Sequence, residues 1–181
     1  PPYHMRDLET LRALARETPA TAAAPGMATA ALRLEARAGA DGLTPFAAWA
    51  AEAHGMDDAD AILAGLAGAS LPRPAPMAVT VAVSRFGRSR AYTVPATRAL
   101  SAVAEAPEDA TPDLVLRDLR GTALTSVAMG AEAAPVLTLM SAGAGLALTL
   151  ECAPGRLDPE AAIRLLSDLA GRVEQPLRHL L

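Results

Sequence analysis

The chain has 181 residues, 51% hydrophobic and 20% charged, enough apolar material to bury an ordinary domain core, which excludes a disordered or collagen-like chain. Net charge is −4, and all 16 basic residues are arginines scattered along the chain, so the electrostatic footprint of a nucleic-acid binder is missing. No apolar run approaches the ~20 residues of a membrane-spanning helix, and the single cysteine, Cys152, can neither close an internal disulfide nor build a cysteine zinc site.

The first predicted element is a short amphipathic helix over Asp7 to Glu17, with Leu8, Leu11, Leu14 and Ala15 at helical spacing and Thr18-Pro19 as its stop. The Ala/Thr/Pro-rich stretch up to Gly26 reads as a linker, which divides the chain into an N-terminal helix and linker (1–26) and one core domain (27–181). Ala28 to Ala38 alternates and favours a strand. Thr44 is placed to cap a helix that Pro45 opens; Phe46, Trp49, Ala50 and Ala53 share a face, and Gly55 ends it. Asp57 to Gly68 predicts another helix, whose Asp57-Asp58-Ala59-Asp60 start reads as surface charge complementing the helix dipole rather than as a calcium loop. Residues 70–76 (S-L-P-R-P-A-P) form a stiff proline-rich connector.

Beyond the connector the period changes to two. Met77 to Ser84, Arg90 to Pro95, Ala99 to Ala104, Leu114 to Leu119, Ala123 to Met129, Val136 to Met140 and Leu146 to Cys152 all read as strands, with a hairpin at Ser141 to Gly145. The last helix is announced by Asp158 as cap and Pro159 at its first position, with Ala162, Ile163, Leu166, Leu169, Ala170 and Val173 on one face until Pro176. Helices and strands segregated in this way give an α+β fold with a mixed or mostly antiparallel sheet and helices on one face.

Cofactor motifs are missing. Without lysine there is no phosphate-loop lysine, and no G-x-G-x-x-G joins a strand to a helix. His4, His54 and His179 are too scattered for a metal pair, so no metal is expected. With no basic-apolar-small leader pattern, the expected location is cytoplasmic.

A family resemblance is carried by two stretches. Leu148 to Leu181 (L-T-L-E-C-A-P-G-R-L-D-P-E-A-A-I-R-L-L-S-D-L-A-G-R-V-E-Q-P-L-R-H-L-L) is similar, without gaps, to the strand, D-H-R-x-x-D-G turn, amphipathic helix and apolar tail that close the catalytic core of dihydrolipoamide acyltransferases of 2-oxo acid dehydrogenase complexes. Val79 to Ala106, containing V-T-V-A-V-S-R-F-G, resembles that family's T-F-T-I-S-N-L-G strand and a later one. The resemblance implies a chloramphenicol acetyltransferase-like fold, shared with condensation domains of peptide synthetases. It implies a histidine base in the turn, a hydroxyl that stabilises the oxyanion, and a trimeric unit whose apolar tail docks on another trimer.

The residues depart from that pattern where chemistry is concentrated. Pro154 stands at the histidine position, Asp158 matches the second acidic position and Ser84 the hydroxyl. Proline carries no titratable group, and general-base catalysis typically supplies ~10²–10⁴-fold, so the turn cannot run the family's reaction by the family's route. The expectation is a catalytically degenerate acyltransferase-like domain acting as a structural component of a pyruvate dehydrogenase-type complex, a homo-oligomer and by the resemblance a trimer, with Leu177, Leu180 and Leu181 as the docking tail. It would have no nucleic-acid or membrane partner. One alternative is an active CoA-dependent acyltransferase or condensation-like enzyme with a relocated base, His54 being the internal candidate. Another is a module that binds an acyl or lipoyl carrier without turning it over. CoA or a lipoyl group is expected only under these alternatives. Cys152 reads as a buried small apolar group rather than a nucleophile.

Overall fold

The structure, a computed structural model, describes residues 30–178; the predicted helix over Asp7 to Glu17, its linker and Leu180 and Leu181 lie outside the described residues. Strand β1 (Leu32–Gly39) is followed by α1 (Leu43–His54) and α2 (Ala59–Ser70), then β2 (Val79–Arg85), β3 (Arg88–Val94), β4 (Ala104–Glu105), β5 (Leu114–Asp118), β6 (Val136–Ala142), β7 (Gly145–Cys152) and α3 (Pro159–Glu174). The seven strands form one sheet in the order β1-β7-β6-β5-β2-β3-β4. It is mixed: β5 pairs parallel with both β2 and β6, and the other neighbours are antiparallel. The fold is therefore α+β, as the segregation of elements implies.

Strand alternation separates two faces. Val79, Val81 and Val83 of β2, Leu114 and Leu116 of β5, Leu137 and Leu139 of β6, and Leu148 and Leu150 of β7 join Ile62, Leu66, Leu165 and Leu169 of α2 and α3 in the main core. Residues on either side of the proline-rich connector thus share this core. The other face carries a smaller cluster of Leu119, Val127, Met140 and Ala147. Val127 reaches it from an irregular strap, residues 121–135, pinned at three points. Arg33 donates to the Val127 carbonyl at 2.7 Å, the Glu151 carboxylate accepts from the Gly130 amide at 2.8 Å, and Arg117 pairs with Glu132 at 2.7 Å.

Several sequence expectations are met. Gly55 ends α1 in the left-handed conformation, φ +66°, where only glycine pays no steric penalty. Asp158 caps α3 as expected, accepting from the Ala161 amide at 2.7 Å with Pro159 in the first turn, and Asp58, read only as surface charge, caps α2. β6 and β7 form the expected hairpin.

Other expectations are corrected. Ala123 to Met129 is not a strand, because β5 already pairs with β6 on that side and leaves the segment no ladder to join; it crosses the sheet face instead. Ala99 to Ala104 is mostly a 3-10 turn, Leu100–Ala102, ahead of the two-residue β4. Thr44 does not cap α1: the cap is Gly42, where a Cβ would stand 2.2 Å from the Glu174 carbonyl oxygen, so close approach of the α3 terminus sets the helix start. On α3, Leu165 is buried and Ile163 is 54% exposed, a rotation of the predicted apolar face.

Candidate functional site

The turn that the sequence singles out connects β7 to α3. Gly155 takes a positive φ of +77°, the Arg156 amide donates to the Ala153 carbonyl at 3.3 Å, and Pro154 and Arg156 are exposed. The carboxylate of Asp158 is committed to the first turn of α3. Cys152, just before the turn, is buried, and burial pushes its thiol up and away from the reactive thiolate. Of residues 153–158, Arg156 and Asp158 are the ionisable ones, and Asp158 is engaged by the Ala161 amide.

Beside it opens a cleft of about 470 Å³ lined by Leu71, Pro112, Val115, Pro135, Leu157 and Arg156, with Asp113 and Glu132 also on its wall. Both carboxylates have partners: Asp113 accepts the Thr80 amide at 2.8 Å and Glu132 pairs with Arg117. This is a mainly apolar recess with the Arg156 cation at its edge.

The remaining predicted site residues are not gathered here. Ser84 lies on the face of the sheet opposite the helices, in a cross-strand row with Arg117, Thr138 and Thr149. Ser84 itself is three strand spacings from β7, roughly 14 Å, and the row crosses β7 at Thr149, five residues before Pro154. Within one chain Ser84 and the turn do not meet. His54 ends α1, packed edge-on against Trp49 with ring centroids 4.8 Å apart. It is not among the residues that line the cleft beside the turn. Leu177 is 74% exposed on the closing 3-10 turn, Pro176–Arg178.

What sequence reading missed is at the other end of α2. Asp60, expected as surface charge, is buried, and its carboxylate takes Arg85 and, at 3.4 Å, Arg88. Arg85 also pairs with the buried Asp118 at 2.6 Å, and Arg120 pairs with Asp118 at 2.9 Å. Next to this group Asp58 receives Arg90 and the Tyr92 hydroxyl, each at 2.9 Å. Burial pushes the Asp118 carboxyl up, but Arg120 and Arg85 outweigh it and hold the group below its ordinary value. Asp58 behaves likewise: burial is outweighed by the Tyr92 hydroxyl, the Ala61 amide and the Arg90 charge. Burial and the adjacent Asp58 carboxylate keep the Tyr92 phenol protonated far above its ordinary range. The available signal was period two: in β2, β3 and β5 the apolar side of each strand continues into Arg85, Arg90 and Asp118, which therefore point toward the helices.

The fold, a mixed seven-stranded sheet with helices packed on it, is of the kind seen in solved dihydrolipoamide acetyltransferases. Among solved structures, the chain is similar to a probable dihydrolipoamide acetyltransferase from Listeria monocytogenes, at 9% identity and a TM-score of 0.53, over 96% of this chain and 93% of that one. It is similar to the dihydrolipoamide acetyltransferase of Azotobacter vinelandii, at 11% identity and a TM-score of 0.54, over 83% and 84% of the two chains. The cubic core of a pyruvate dehydrogenase multienzyme complex matches at 10% identity and a TM-score of 0.55, again over 83% and 84%. No protein-family model matches the sequence, and no curated protein does. Among the described residues no helix is long and apolar enough to cross a membrane.

Proposed function

We propose that this domain is a catalytically degenerate acyltransferase core that serves as a structural component of a 2-oxo acid dehydrogenase-type assembly. One observation carries the reading: the turn between β7 and α3 holds Pro154 in place of a base, and its carboxylate, Asp158, is committed to a helix cap. A hydroxyl such as Ser84 can polarise a carbonyl but cannot take the thiol proton that acyl transfer must release. The fold neighbours supply the context, since one of them is the core of a multienzyme complex. In this reading the domain self-associates as a trimer, and Leu177, Leu180 and Leu181 form the tail that joins trimers.

Sedimentation equilibrium tests the proposal. The domain should sediment as a trimer or a multiple of three, and the double variant Leu180→Asp/Leu181→Asp should lose the higher assembly while keeping the trimer. A monomer at every concentration contradicts it.

The cleft favours a second reading, in which the domain binds an acyl or lipoyl carrier without turnover: a mainly apolar recess of about 470 Å³ edged by Arg156 suits a slender chain bearing a polar group. Saturable binding of a lipoylated domain, lost on Val115→Arg, would support it. The relocated-base enzyme has less behind it, because His54 is packed against Trp49 and does not line the cleft beside the turn.

A further inference from the structure

We infer that the outer edge of β1 pairs antiparallel with the same edge of a second copy, in the register that sets Arg33 opposite Glu35. The inference is independent of the acyltransferase-like reading and of the tail residues Leu177, Leu180 and Leu181. The sheet ends in two unequal edge strands, β1 and β4. β4 has two residues, whereas β1 has eight, contains no proline, and runs in unbroken register from Leu32 opposite Cys152 to Gly39 opposite Gly145. Shortness, bulges, proline or a covering segment are what usually keep an edge from pairing with another chain. Among the described residues β1 carries such protection only at its end, where the Gly39 amide donates to the Glu174 carboxylate at 3.1 Å.

That contact also fixes which backbone groups face outward. Gly39 directs its amide away from β7, so strand alternation directs the backbone groups of Arg33, Glu35 and Arg37 the same way. Among the described residues no strand pairs with them. Their side chains share the strap face and are exposed. Arg33 contacts Glu35 at 2.9 Å and the Val127 carbonyl at 2.7 Å, both through Nη2, and it meets Glu35 at Oε1 alone. Arg33 Nη1 and Nε and Glu35 Oε2 are left to meet a second copy.

Charge then selects one register. Setting Glu35 opposite itself also sets Arg33 opposite Arg37, and every facing pair repels. Setting Glu35 opposite Arg37 brings Arg33 to Gly39, whose amide Glu174 already holds. Setting Arg33 opposite Glu35 repeats that pair about the two-fold axis, so the charges alternate in sign. On the helix face the same register sets Leu34 against Leu34 of the second copy and Leu32 against Ala36, all of them half-buried. An edge-to-edge contact buries little area and belongs with weak, reversible interfaces, which covalent trapping detects.

Disulfide trapping reads the register residue by residue. In a Cys152→Ala background, Arg33→Cys, Leu34→Cys, Glu35→Cys and Ala36→Cys are each oxidised mildly and the covalent dimer is followed with time. Leu34→Cys should dimerise fastest, because residue 34 alone opposes itself, at a Cα separation of roughly 4.5 Å that a disulfide spans. Adding Glu35→Arg to Leu34→Cys makes the facing charges alike and should slow trapping roughly fivefold. Mixing that protein with Leu34→Cys/Arg33→Glu should restore the rate, since the facing charges are again opposite. The Glu35 side chain is 59% exposed, and without Arg33 the strap keeps its Glu151 and Arg117 contacts, so these variants retain the fold. The inference is overturned by a maximum at any position other than 34, by equal trapping at all four, by a rate that Glu35→Arg leaves unchanged, by failure of the mixture to recover, or by no dimer at all.

Discussion

The two ends of α2 differ more than any other pair of regions in this molecule. At its N-terminus, Asp58, Asp60 and Asp118 are interlocked with Arg85, Arg90, Arg120 and Tyr92 in a network of short charge-assisted contacts. At its C-terminus the neighbouring turn carries Pro154, Gly155, an exposed Arg156 and one carboxylate already committed as a cap. Buried ionisable groups are concentrated where they lock the helix layer to the sheet, and the turn that could hold chemistry has none to offer. In an acyltransferase core the turn would need at least one titratable group held near neutrality.

The sharpest way to break this comparison is to remove one partner on each side. Asp118→Ala removes the carboxylate partner of Arg120, leaves Arg85 with Asp60 alone, and should lower unfolding free energy by about 2 kcal/mol. Pro154→Ala, at an exposed turn position, should change it by no more than about 0.5 kcal/mol. Chemical denaturation of both variants checks the contrast, and equal effects would mean that the network is not what holds the layers.

Acid is the next lever. The carboxyls of Asp58 and Asp118 are both held below their ordinary value of 3.8, so the folded state binds their protons less readily than the unfolded chain does. Their contribution is fully present above that value and is lost as pH falls through the folded-state values. Stability should therefore drop steeply below pH ~4, and the drop should be shallower in Asp118→Ala. A parallel pH profile in the variant would assign the acid sensitivity to other groups.

A smaller effect than that of Asp118→Ala belongs to the turn's own carboxylate. Asp158→Ala removes the cap of α3 and should cost about 1 kcal/mol, while Asp158→Asn should restore most of it. Rescue by asparagine separates a capping role from one that requires charge.

These regions also differ in how plainly the sequence displays them. α3 was legible because Asp158-Pro159 and a helical stripe coincide, although Ile163 and Leu165 exchange roles, a rotation within the precision of a stripe read from spacing alone. β2, β6 and β7 were legible because period two survives in them. The strap was not: Ala123, Val127 and Met129 fall on one side of a period-two pattern, yet of these Val127 alone is buried, in a cluster with Met140 and Ala147 that no local pattern encodes. The charge network was hidden for a similar reason. Asp60 is separated from Arg85 by 25 residues, and the parallel β2–β5 pairing that brings in Asp118 is a long-range event. The turn, by contrast, is a contiguous motif, and Pro154 within it can be read from the sequence directly.

The proposal under test is that this domain is a degenerate acyltransferase core, and acyl transfer measures it most directly. Purified full chain, supplied with acetyl-CoA and dihydrolipoamide, should form acetyl-dihydrolipoamide no faster than a protein-free control, and His54→Ala should behave identically. Turnover above that control, abolished by His54→Ala, would contradict the account and establish an enzyme with a relocated base.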